Sequence, residues 1–368
     1  MWRIISRRPV RTTDVRYHSG RCPLRRLRIR FQVRQSVAFI IPVHNDAERL
    51  AACLASLPRD GAVEVVVVDH GSVDASRRVA SDKGARVLAL ARSVPNVASL
   101  RNQGARAVSS ELVAFVDADH TLDPGWLAAA RVAVTPPDVG AVGAQYHGPA
   151  EGTWVQRWYD GFRDHSAVPG PAAWLGAGNL VVRREAFVAV GGFDESLESC
   201  EDVDLCFRLR EAGWSVVNEP GMRSTHHGDP ATLSRLYRSE LWRGRDNMRV
   251  SLRERPLSLR NTLSALTPVA QLGAFVLALA GVAGAMSGSR AGQAVAAAAA
   301  VVILVPLLAR ALLMWRRTQG RAPYGLAGAL VVATTYDVAR ALALVSRATH
   351  HRPRAAASAT TNSHNPVA

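Results

Sequence analysis

Residues 111–120 read ELVAFVDADH, an apolar run that ends abruptly in two aspartates, Asp117 and Asp119, separated by one alanine. Leu112, Val113, Phe115 and Val116 have the composition of a strand buried on both faces, as in a parallel sheet. Core packing has no use for two carboxylates at its carboxyl end. In open α/β sheets that edge is where ligands bind. Two acids one residue apart there can share a hard divalent cation, which in turn neutralises phosphate charge. A solvated turn that caps a helix starting near Pro124 would produce the same letters, so the flanking segments must decide.

From Val37 to about Asn218 apolar strands alternate with amphipathic helices. VAFIIP (37–42) reads as a strand ended by Pro42, with Asn45 or Asp46 capping a helix over 47–57. EVVVVD (64–69) is a second strand, and Asp74 opens a helix that runs to Lys83. ARVLAL (85–90) is a third, followed by a helix over about 96–109 and then the DxD strand. A helix over 126–134 and a strand over 139–145 come next. Strands separated by helices of ten or so residues predict a doubly wound, mostly parallel sheet. No GxGxxG follows the first strand and no GxxxxGK[ST] occurs, which argues against dinucleotide and P-loop phosphate binding.

Other charged residues fall at the same edge. VVVDHGSVD (66–74) puts Asp69 at a strand end, where its carboxylate can accept the ring N–H of a pyrimidine base. Arg101, in SLRNQGA (99–105), can pair with a diphosphate or with the DxD carboxylates. A second acidic cluster, SCEDVDLCFRLREAGW (199–214), opens a helix with Glu201 and Asp202 in the first turn, where the helix dipole favours carboxylates. The glycines of the preceding 176–195 stretch suggest close approach of backbone to a ligand. Beyond the helix, STHHGDP (224–230) offers His226 and His227 as metal ligands.

The net charge of +15 looks like a nucleic-acid signature, but residues 1–35 hold eleven arginines against one acid, Asp14. The excess therefore sits in a short basic leader, predicted to be disordered, and no nucleic-acid partner is expected. The leader lacks the apolar core of a secretory signal. Lysine occurs once, at Lys83, among 45 basic residues, which with the abundant alanine suggests a GC-rich bacterial genome. Cys22, Cys53, Cys200 and Cys206 form no CxxC, so reduced thiols are expected.

After Arg260 the composition changes. Residues 261–289 and 291–309 carry no charge, and each run approaches or exceeds the roughly 20 residues needed to cross a bilayer. Two spanning helices are predicted at 263–286 and 291–313. The basic RRTQGR (316–321) stays cytoplasmic by the positive-inside rule, and two crossings return the chain to its starting side. A third apolar segment, 324–346, is interrupted by Asp337 and Arg340 at i, i+3 spacing, where they are expected to pair. Its basic flank favours an interfacial over a spanning helix.

These residues resemble the family-2 inverting glycosyltransferases with a GT-A fold. PVHND (42–46) looks like that family's P-x-Y-N opening, with His44 in place of the aromatic. VVVDHGSVD resembles VVDDGSTD, with His70 at the second aspartate; FVDADH matches the DxD motif, GGFDE (191–195) an acceptor-side signature and CEDVDL (200–205) the E-D motif.

The resemblance implies a GT-A nucleotide-diphospho-sugar transferase domain over 36–255, a membrane region over 256–347 and a disordered tail over 348–368. It implies donor binding by Pro42, Val43, His44, Asp69, Arg101 and Asp117, with a UDP-sugar as donor. Asp119, Asp117 and His226 would hold Mg2+ or Mn2+. Asp202 would be the general base and Glu201 would orient it or the acceptor. A lipid-linked or glycan acceptor, a bacterial inner-membrane location and a cytoplasmic catalytic domain complete the expectation. A processive polysaccharide synthase would share the domain but carry Q-x-x-R-W where this chain reads ELWRGRD (240–246). A non-catalytic nucleotide-sugar-binding protein would have no need of the acids at 117, 119, 201 and 202.

Overall fold

The computed structural model describes residues 35–165, 167–254, 259–319 and 322–346. The basic leader, Cys22 and the tail beyond Ser346 lie outside them. The chain opens with β1 (Val37–Val43), α1 (Ala47–Ser56), β2 (Val63–His70), α2 (Ser76–Asp82), β3 (Arg86–Leu90) and α3 (Val97–Arg106). The DxD strand β4 (Leu112–Val116) leads to β5 (His120–Leu122), α4 (Trp126–Ala133), β6 (Val139–Gly143) and α5 (Trp154–Asp160). Then come β7 (Gly170–Pro171), β8 (Asn179–Arg183), α6 (Arg184–Ala189), α7 (Glu201–Glu211), β9 (Ser215–Asn218), β10 (Ser224–His226) and α8 (Leu233–Arg243). The helices α9 (Asn247–Ser251), α10 (Leu259–Met286), α11 (Arg290–Arg317) and α12 (Gly325–Ala343) finish the described chain.

Eight strands form one sheet in the order β3-β2-β1-β4-β8-β6-β9-β7. The first four run parallel, and β8 is antiparallel to both β4 and β6. β10 pairs antiparallel with β5 in a separate two-stranded sheet. Every residue of β1 and of β4 is buried, as expected of strands covered on both faces. The period of two sends Phe39 and Ile41 to a core with Leu50, Cys53 and Trp126, while Ala38 and Ile40 join Phe115, Leu180 and Leu205 on the other face. Each large aliphatic side chain buried there contributes roughly 1.5–3 kcal/mol.

Two local expectations are corrected. β1 runs through Pro42 to Val43: Pro42 stays in register with Val68 of β2 but lies past the last partner on β4, Ile40↔Phe115, so the strand is one-sided there and tolerates a proline. Neither Asn45 nor Asp46 caps α1 with its side chain. Asp74 does so from the neighbouring loop: Oδ2 accepts from Ala47 N at 3.0 Å while Oδ1 accepts from Ser76 N at 2.9 Å, one carboxylate serving two helix starts.

Among the described residues, three helices are long and apolar enough to cross a membrane: 261–286, α11 and α12. They differ in how the protein covers them. Only 17% and 11% of the apolar windows of α10 and α11 are buried, against 44% for α12. Leu277, Leu279, Val301, Val305 and Leu308 stand exposed, an apolar surface larger than water tolerates. α12 instead packs on α5, α8 and α11. The Asp337–Arg340 pair expected within α12 does not form. Asp337 Oδ1 meets Arg310 Nε of α11 at 2.8 Å, and Arg340 Nε meets Glu240 Oε2 of α8 at 2.8 Å. Packing between helices supplies closer partners than the neighbouring turn does.

Candidate active site

The carboxyl ends of β2, β1 and β4 lie side by side, and the chain leaves β1 toward β2 on one side and reaches β4 on the other. That reversal is the crevice where open α/β sheets bind ligands. The two loops on its β2 side are tied together. Asn45, in the left-handed region at φ 50°, donates its N–H to Ser72 Oγ at 3.0 Å, and its Oδ1 accepts from Val73 N at 2.8 Å. Asp69 is completely buried beneath them and accepts from Ser72 N and from Arg77 Nε, the latter at 2.5 Å. His44 bonds Arg92 and lies edge-on to His70 at 5.8 Å. Pro42 and Val43 are buried strand residues, so they offer backbone rather than side chains to this rim.

Arg101 joins the two acidic motifs. Its guanidinium, 3% exposed, donates Nη2 to Asp117 Oδ1 and Nη1 to Glu201 Oε1, both at 2.6 Å. Of the two partners that the sequence left open, it takes the DxD carboxylate. The bond to Glu201 draws the first turn of α7 against the end of β4. Asp202 is less buried than Glu201, and its Oδ2 accepts from Ala177 N at 3.3 Å. Gly178 lets this backbone come close: a Cβ there would stand 2.8 Å from both Asp117 Oδ2 and His120 Nε2.

On the other side of Asp117 the chain brings together side chains of the types that can ligate a metal. Ligand atoms of Asp119, His120 and His226 lie within 4.8 Å of one another. His226 Nε2 faces Asp119 Oδ2 at 3.3 Å, and its Nδ1 donates to Asp229 Oδ1 at 2.7 Å. Asp229 is gripped by both Nη atoms of Arg163, at 2.7 and 2.5 Å. A carboxylate behind the imidazole fixes which nitrogen looks inward, as in many metal sites. A side chain at Gly228 would overlap the Asp119 carboxylate, so glycine keeps this corner open. His227 is exposed and turned toward Thr121, at 2.9 Å. One carboxylate and two imidazoles at this spacing would suit a divalent cation that accepts nitrogen as well as oxygen, Mn2+ more than the oxygen-seeking Mg2+.

A model of the family described as Glycosyl transferase family 2 matches residues 38–189. An uncharacterized glycosyltransferase of Mycobacterium bovis is 32% identical over 193 residues, which cover 50% of this chain and 82% of that protein. The chain belongs to glycosyl transferase family 2. A pre-mycofactocin glycosyltransferase of Mycobacterium tuberculosis is 33% identical over 198 residues, 50% of this chain but 41% of that protein. The chain thus spans under half the length of that relative. A mannosyltransferase from Pyrobaculum calidifontis, solved with GDP-mannose and Mn2+, superposes with a TM-score of 0.52 at 18% identity, covering 83% of this chain and 88% of that one. That likeness shows the GT-A fold.

In this family-2 domain the two acidic motifs sit in different electrostatic surroundings. Burial opposes ionisation of Asp119, but His226, His120 and Arg49 more than offset it and hold the carboxyl well below the usual range. Burial works against the His226 imidazolium too, yet Asp119 and Asp229 raise it to about 10. His120 moves the other way, down to about 4, through burial and then its cationic neighbour His226. Burial, then the Asp202 charge, push Glu201 up to about 7 despite Arg101. Asp202 is raised as well, chiefly by burial. Glu201 and Asp202, two largely buried carboxylates side by side, cannot both ionise cheaply. Cys53, Cys200 and Cys206 are free thiols, the last two pushed up to about 12 mainly by burial.

His120, Asp229, Arg163, Arg77 and Arg92 were not singled out from the sequence. His120 adjoins the second DxD aspartate in FVDADH, and Asp229 follows the histidines in STHHGDP, so proximity to those motifs was an available signal. Arg163 had none, since its partner lies 66 residues away.

Proposed function

We propose that the protein transfers a sugar from a nucleotide-diphosphate donor to an acceptor hydroxyl, with inversion at the anomeric carbon. Asp202 removes the hydroxyl proton as the acceptor oxygen attacks, and the nucleotide diphosphate leaves from the opposite face. Glu201, fixed by Arg101, orients the base and the acceptor. His44 and the backbone at Pro42 and Val43 would form the base-binding rim; Asp69, buried behind them on Ser72 and Arg77, would reach the ring N–H of uracil only once Arg77 yields, and a carboxylate there favours a UDP-sugar. Asp117, held by Arg101, would lie between the ribose and the metal ligands. Asp119, His226 and His120 would hold Mg2+ or Mn2+, which would supply charge neutralisation to the departing diphosphate. The observation that carries this reading is the Arg101 bridge, which sets the E-D pair beside the DxD strand so that base and leaving-group charge share one crevice.

The exposed apolar hairpin of α10 and α11 supports an inner-membrane protein whose catalytic domain lies on the cytoplasmic side, and it favours a lipid-linked acceptor held in the same bilayer. The test is nucleotide release by the detergent-purified protein over a panel of UDP-, GDP- and TDP-sugars, with and without EDTA. Metal-dependent UDP release is expected. No release from any donor, or release undiminished by EDTA, would contradict the proposal.

A further inference from the structure

The residue just ahead of the acidic pair is held in a conformation that side chains resist. Cys200 has φ 60°, in the left-handed region, and α7 starts from it with Glu201 and Asp202 in its first turn. The groups that hold this segment lie on the exit loop of α8. Asp246 Oδ2 accepts from Glu198 N and Ser199 N at 2.9 and 3.2 Å, and Asp246 N donates to Ser199 Oγ at 3.3 Å. Ser199 Oγ in turn donates to Arg243 O at 3.3 Å, the same carbonyl that Cys200 Sγ approaches at 3.9 Å. That oxygen ends a helix, where the carbonyl groups lack intrahelical partners.

The exit loop is fastened from the far side by α12. Arg340 donates Nη1 to Arg243 O at 3.2 Å and Nε to Glu240 Oε2 at 2.8 Å. Glu240 is completely buried and already has two other donors, Tyr159 OH at 2.7 Å and Arg243 Nη1 at 3.0 Å. Neutralising Glu240 therefore does not by itself account for Arg340, whereas the bond to Arg243 O does additional work on the loop. Gly244 permits the approach: a Cβ there would lie 2.5 Å from Ala343 Cβ. The contacts form an unbroken series from an apolar helix, through Arg243 O, Ser199 and Cys200, to Glu201, Arg101 and Asp117.

We propose that Arg340 is a positioning residue for the reaction, so that docking of α12 sets the orientation of Glu201 and Asp202. The proposal rests on the reading of that pair as the reacting carboxylates. An ångström of misplacement at a general base is enough to cost up to about 10²-fold in turnover.

The experiment compares full-length Arg340→Met and Arg340→Lys with Arg310→Met, which breaks another polar tie of α12 but does not reach the exit loop. Steady-state nucleotide release gives kcat and donor KM, and hydrogen exchange follows the peptide spanning 197–203. Arg340→Met should lower kcat about tenfold or more, leave donor KM within about twofold and speed exchange at 197–203. Arg340→Lys should recover at least about a third of the lost turnover. Arg310→Met should keep kcat within about twofold and leave that exchange unchanged.

Unchanged exchange and kcat in Arg340→Met overturn the proposal. So does a loss that Arg310→Met reproduces in step with melting temperature. If Arg340→Met does not fold, Arg340→Lys decides by the same exchange and kcat readouts. Failure of wild type to turn over any donor would count against the proposed function instead, and the exchange data would still judge the coupling.

Discussion

Asp117 and Asp119 close a strand, whereas Glu201 and Asp202 open a helix, and one member of each pair bonds the same buried arginine. Burial opposes ionisation at Asp119 as at the other pair, but Asp119 faces His226, whose imidazolium is favoured, and Arg49, and these hold the carboxyl in its ionised form. Around Glu201 and Asp202 the dominant influence is burial, and the single guanidinium is shared with Asp117, so the pair takes up a proton more readily. Two acidic pairs of similar composition are thereby given different tasks. Divergent proton affinity between neighbouring acids marks out which can anchor a cation and which can accept a proton.

The strongest break of that contrast is Asp119→Ala. It removes the carboxylate that stays charged, and metal-dependent turnover should fall about 10³-fold or more, since a bound cation contributes several kcal/mol to stabilising the leaving charge. A loss of less than tenfold in nucleotide release would assign the cation to other ligands. Asp202→Asn should lower kcat about 10²–10³-fold while donor affinity, read by calorimetry, stays near wild type. Loss of donor binding with normal kcat would move Asp202 to the donor site. Arg101→Met attacks the shared partner. It leaves Glu201 buried, and Asp117 half-buried, without their cation and should cost about 3 kcal/mol in chemical denaturation. A cost under about 1 kcal/mol would mean that the two motifs do not depend on the bridge.

The strands and the two acidic motifs were legible because apolar runs and their abrupt ends are local signals. β1, β2, β3 and β4 fall within a residue or two of where the letters put them. The partnerships were not legible, since they span distances that periodicity cannot report. Arg101 lies 100 residues from Glu201, and Arg163 lies 66 from Asp229. Asp74 shows the same limit on a smaller scale, capping its own helix and another that starts 27 residues earlier. α12 misled for the opposite reason. Asp337 and Arg340 have ideal local spacing, yet buried partners on α11 and α8 outcompete it. Sequence also hid the antiparallel β8, because a strand covered on both faces reads alike in either direction.

The contrast also carries an opposing pH signature for stability. The folded-state value of Glu201 lies above its unfolded one, so between the ordinary glutamate value and about 7 the folded protein holds an extra proton. Stability from this group is full below that window and declines as pH rises through it. Activity should run the other way, because the base works only when deprotonated. The most direct measurement is therefore the pH dependence of kcat/KM for nucleotide release at saturating Mn2+. The two carboxyls titrate as a coupled pair, and the acid limb should lie above the ordinary carboxylate value of about 4, toward the value of about 7 at Glu201. In the residual activity of Asp202→Asn that limb should vanish. A limb at or below about 4, or one that survives unchanged in Asp202→Asn, would contradict the assignment of the E-D pair as the proton-accepting side of the site.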